Sequence, residues 1–104
     1  MLRLKTTKTK FCQLVADMAA ALDWVKMPNR KSIHFWKAYR RSVYFLEWIA
    51  DSCSYQAFLA PCLGRVTLSI EQYGLGRQLL HRQVFSPTLD EMKTRGMIED
   101  IPQQ

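Results

Sequence analysis

The segment from Ser32 to Cys53 constrains the fold more than any other part of this chain. At about 100° per residue, Phe35, Trp36, Ala38, Tyr39, Ser42, Val43, Phe45, Leu46, Ile49, Ala50 and Cys53 cover roughly half of a helical circumference. The other half holds His34, Lys37, Arg40, Arg41, Glu47 and Asp51, with Ile33, Tyr44 and Trp48 set among them. Ser32 suits an N-cap, polar residues do not alternate, and the pattern outlasts an ordinary strand, so it predicts one long amphipathic helix. A surface helix needs an apolar arc of only about 100°. This one is therefore expected to be central, or to pack against a second subunit.

Shorter elements surround it. Phe11, Leu14, Val15, Met18, Leu22 and Val25 form one stripe that predicts a helix from Thr9 to Met27, stopped by Pro28 and Asn29. Residues 54–85 have two readings. Leu63, Val66, Ile70, Tyr73, Leu80 and Val84 fit a helical stripe, with Ser69 and Gln72 as a capping box. The alternation of Val66, Leu68 and Ile70, followed by Tyr73-Gly74-Leu75-Gly76, fits a hairpin instead. Helix is the preferred reading. Thr88 with Glu91 makes a second capping box, and Gly96 is placed as a Schellman stop that brings Met97 toward Met92. The expected architecture is all-α: a small bundle of three to four helices with one long central helix, the alternative being α+β with a hairpin at about 65–85. Residues 1–104 are read as a single helical domain, with 1–8 and 99–104 flexible.

Thr88 to Ile98 resembles the helix-then-glycine element of winged-helix regulators. The resemblance covers about a tenth of the chain, without an evident preceding helix-turn-helix or two-strand wing. It implies nucleic-acid binding as a minor alternative.

With 104 residues and 48% hydrophobic content, the chain is sized for one folded domain and not for a multi-lobed enzyme. Three cysteines, Cys12, Cys53 and Cys62, cannot close a complete disulfide framework, so reduced thiols and a cytoplasmic location are expected. The longest uncharged run, Ser52 to Gly64, is 13 residues, short of the roughly 20 that span a bilayer. Isolated His34 and His81, and cysteines without paired spacing, offer no catalytic set, no metal site and no cofactor motif. The reading is therefore a non-enzyme.

The net charge of +6 lies wholly in residues 1–52. On the expected central helix, Arg40, Tyr44 and Trp48 fall four apart as a ridge beside Lys37 and Arg41, and Trp24 stands off the first helix's apolar stripe. Arg and aromatic residues are enriched where proteins dock. Trp24, Lys37, Arg40, Arg41, Tyr44 and Trp48 are thus the expected partner-binding residues. The expected function is a small regulatory protein-binding module of anti-activator, inhibitor or adaptor type, homodimeric, whose partner could be a transcriptional regulator. The alternative is a basic helical nucleic-acid-binding protein or transcriptional regulator.

Overall fold

Over His34–Ala38 and Val43–Ala50, successive residues point to opposite faces of a sheet and do not wind around a helix. In a computed structural model, which describes residues 2–38, 40 and 42–100, the chain is mainly strand. The elements are β1 (Leu2–Leu4), α1 (Lys8–Ala19), a 3-10 turn (Arg30–Ser32), β2 (His34–Ala38), β3 (Val43–Ala50), β4 (Cys53–Cys62), β5 (Arg65–Tyr73), β6 (Leu79–Phe85), α2 (Leu89–Thr94) and β7 (Ile98–Asp100). Strands β2 to β6 form a five-stranded antiparallel meander in chain order, and β1 pairs separately with β7. The all-α bundle is thus overturned, and with it the long central helix.

The reason is the inward set. Ile33, Tyr44, Leu46 and Trp48 are buried and Phe35 is half-buried, a spacing of two along each strand. The outward set, Trp36, Ala38, Val43, Phe45 and Ile49, is also apolar, which hides the alternation from a reading of polarity alone. Ser42, just before β3, takes the left-handed region at φ 51°.

The helix preferred beyond the break at Pro61 and Gly64 is replaced by β5 and β6, and β4 occupies the residues before it. Val66, Leu68 and Ile70 point into the core from β5, and the chain turns back through Gly74, whose N–H donates to the Gln78 carbonyl at 3.0 Å. The two-residue hairpins at Asp51-Ser52 and Leu63-Gly64 have φ positive at both central residues, which matches the strand twist.

One face of the sheet is covered. Helix α1 starts at N-cap Thr7 and buries Phe11, Leu14 and Val15 completely. It ends at Ala19, not at Met27. Pro28 has no N–H for the Trp24 carbonyl that a longer helix would have offered it. Tyr55 donates to that carbonyl at 3.1 Å instead, and Trp48 Nε1 donates to the Lys26 carbonyl at 2.7 Å. Segment 20–29 is thereby tied across the sheet. Helix α2 begins at N-cap Thr88, as expected. It closes in a Schellman pattern: Gly96 sits at φ 71°, its N–H donates to the Lys93 carbonyl, and the Met97 N–H donates to the Met92 carbonyl at 2.9 Å. Met92 and Met97 are both fully buried.

Candidate protein-docking face

Antiparallel register lines side chains up in rows across the sheet, and the inner and outer rows differ in what meets them. On the covered side, Trp48, Tyr55, Gln72 and His81 stand abreast on β3 to β6. Gln72 donates to the Tyr55 hydroxyl at 2.9 Å and lies 2.7 Å from His81 Nδ1, while the His81 ring stacks on Trp24 at 5.0 Å. Of the six expected docking residues, Trp24, Tyr44 and Trp48 pack on this side. Trp24 packs on His81, Trp48 is 3% exposed, and Tyr44 is 4% exposed with its hydroxyl 3.4 Å from the Leu4 carbonyl. Lys37 lies on β2 with its ammonium 5.3 Å from the Tyr44 ring, Arg40 is exposed in the β2–β3 connection, and Arg41 lies outside the described residues. No helical ridge forms. Tyr44 and Trp48, four apart, share a face because four is also an even number of strand residues.

The opposite face has no element packed on it among the described residues. Its central row is Trp36, Phe45, Phe58, Ser69 and Val84, one from each strand of the meander. Trp36 and Phe45 stack at 3.9 Å and 7° between planes, and Phe45 meets Phe58 at 6.2 Å. A shallow concavity of about 470 Å³ lies over them, bordered also by Val43 and Ala60. Ile49 and Val84 are 74% and 47% exposed. Sequence reasoning noted Trp36, Phe45 and Ile49 as apolar but assigned them to a buried arc. The signal that finds them is the even spacing Phe45, Glu47, Ile49 on β3, read together with β4.

The next row is polar: His34, Glu47, Gln56, Glu71 and Arg82. Gln56 donates to Glu47 at 3.4 Å, and Arg82 Nε lies 3.6 Å from the Glu71 carboxylate. Burial, and then a hydrogen bond to Glu71, push the Tyr73 phenol above its ordinary range. This row thus sets two carboxylates, Glu47 and Glu71, and one guanidinium, Arg82, beside the aromatic row.

The basic groups behind the net charge lie elsewhere. Arg3 and Lys5 pair with Glu99, Lys10 donates to the Gly96 carbonyl, and Lys8 and Arg30 lie near Cys12, whose thiol is pushed up by burial. Cys12, Cys53 and Cys62 are all free thiols. Among the described residues, no group of three or more His, Cys, Asp or Glu could hold a metal ion, and no helix is long and apolar enough to cross a membrane.

No protein-family model, no characterised protein and no solved structure matches the chain. What the geometry defines is a β-meander covered on one side and bearing an aromatic, charge-dotted face on the other.

Proposed function

We propose that this protein is a small regulatory binding module that docks a protein surface, a second copy of itself included, through the open face of its sheet. The observation that carries this reading is the Trp36–Phe45–Phe58 cluster on a face with no covering element among the described residues. Exposed contiguous apolar surface of this kind marks protein contact sites, and aromatic side chains are enriched at the centres of interfaces.

A protein surface fits this face better than a nucleic acid. Base stacking needs ring faces presented to solvent and cations that follow the phosphates. Here Trp36 and Phe45 turn their faces on each other at 3.9 Å, and the row beside them carries Glu47 and Glu71 against Arg82.

The test is photo-crosslinking in the native cell from a benzoylphenylalanine placed at Trp36. A polypeptide adduct, lost when Phe45→Ser and Phe58→Ser are added in a protein of unchanged circular dichroism, is the expected result. Adducts to nucleic acid, or none at all, would overturn the reading.

A further inference from the structure

Of three placements of a two-fold axis along the strands, one makes the open face complementary to itself, an inference that rests on the docking role proposed above. We infer that the occupant is a second copy of this chain, packed sheet against sheet. Its two-fold axis runs parallel to the strands and passes between β4 and β5.

Rotation about an axis along the strands keeps each row at its own level and exchanges strands across the axis. With the axis over β4, β3 of one copy lies on β5 of the other, and Glu47 meets Glu71 of the partner. With the axis between β3 and β4, Arg82 on β6 falls outside the overlap and Glu47 meets Gln56. With the axis between β4 and β5, β3 lies over the partner's β6 and β4 over its β5, while β2 with Trp36 lies at the rim beside the overlap. Glu47 then faces Arg82 and Gln56 faces Glu71, and symmetry makes each pair twice.

The apolar rows agree with the same axis. Phe45 lands on Val84, and Ile49 lands near Leu80, both exposed in the single chain. Phe58 lands on Ser69, the smallest side chain of its row. Ser69 is buried, at 2% exposed, and its hydroxyl has no hydrogen-bond partner. Arg82 is free to reach across, because its side chain remains about half exposed while its Nε touches Glu71.

The size is adequate. Four overlapping strands about 4.8 Å apart and about eight residues long project on the order of 500 Å². Side-chain relief raises the accessible area toward the roughly 600–1,000 Å² per partner that specific dimers bury. The twist of each sheet sets the two strand directions about 30° apart, as in aligned sandwiches.

Light scattering should show a dimer. Glu47→Arg and Arg82→Glu should each weaken it at least about tenfold, since each places like charges opposite one another twice. An equimolar mixture of the two variants should form a heterodimer of about wild-type affinity, because each then supplies the charge the other lacks.

A second measurement covers the case in which Arg82→Glu, deprived of its Glu71 contact, fails to fold. In a Cys53→Ser, Cys62→Ser background, Glu47→Cys with Arg82→Cys should give covalent dimers under mild oxidation. Three strand spacings, about 14 Å, separate the two positions within one chain, too far for an internal bridge. A dimer in which neither the mixture nor the cysteine pair responds overturns this axis. A strictly monomeric wild type overturns the self-association, and if crosslinking from position 36 still captures another polypeptide, the docking role stands without it.

Discussion

Tyr44 and Trp48 show how much one residue's meaning depends on the element that carries it. On a helix they would line a ridge with Arg40; on β3 they face inward and serve as donors to backbone carbonyls of the covering segments. The Trp48 bond to the Lys26 carbonyl is short and part-buried, and removing the donor leaves that carbonyl without its partner. Trp48→Phe should cost about 1–3 kcal/mol, measured as a fall in the urea midpoint at constant slope. Leu63 presents the opposite case. It is almost wholly exposed at φ 48°, followed by Gly64 at φ 77°, in the two-residue turn between Cys62 and Arg65. A branched side chain is strained there, whereas Asn tolerates the left-handed region and Asn-Gly favours this turn. Leu63→Asn should therefore stabilise the protein by about 1 kcal/mol, read from the same denaturation curve. An unchanged or lower midpoint would show that the turn is held by its flanking strands alone.

Among the elements, α2 was legible in the sequence from its own caps, whereas the strands, defined by their neighbours, were not, and the cap signals at Ser32 and Ser69 pointed to helices that do not form. Thr88, Glu91 and Gly96 set both ends of the six-residue α2, and the structure has the Glu91 N–H donating to the Thr88 hydroxyl at 3.0 Å. Thr88→Ala should remove that cap at a cost of about 1 kcal/mol, visible as faster amide exchange confined to the first turn of α2. The inward stripe Phe11, Leu14, Val15 was equally plain, because a helix with one apolar side has a single way to face a sheet. Strands β2 and β3 were not plain. Their outer faces carry Trp36, Phe45 and Ile49, so neither period, two or 3.6, separated apolar from polar. The candidate site inherits that ambiguity, since the residues that hid the strands are those that form the open face.

For the whole molecule, ion pairs join parts that are far apart in sequence. Arg95 donates to Asp17 at 2.8 Å, linking α2 to α1, and Arg3 donates to Glu99 at 3.0 Å, linking β1 to β7. The guanidinium of Arg95, aided by Gln13, holds the Asp17 carboxyl below its usual range, and Arg3 with Lys5 does the same for Glu99. A lowered carboxylate contributes its full stabilisation above its unfolded value and loses it as pH falls through the folded one. Stability should thus stay level between about pH 7 and 5 in this respect and decline below about 4. Amide protection in α2, β1 and β7 should fall first. Glu99→Gln should flatten the part of that decline seen at β1 and β7, and an unchanged acid profile would show that these pairs are spectators. By itself the sequence determined the length of the core-forming chain, the caps of α2, the inward stripe of α1 and the excess of positive charge in the first half, because each is set by residues within a turn or two of one another. Only the tertiary structure decided that His34–Ala38 and Val43–Ala50 are paired strands and which of their two faces is covered. That choice depends on hydrogen bonds to β4 and on contact with α1 and segment 20–29, partners that lie beyond the reach of any local pattern.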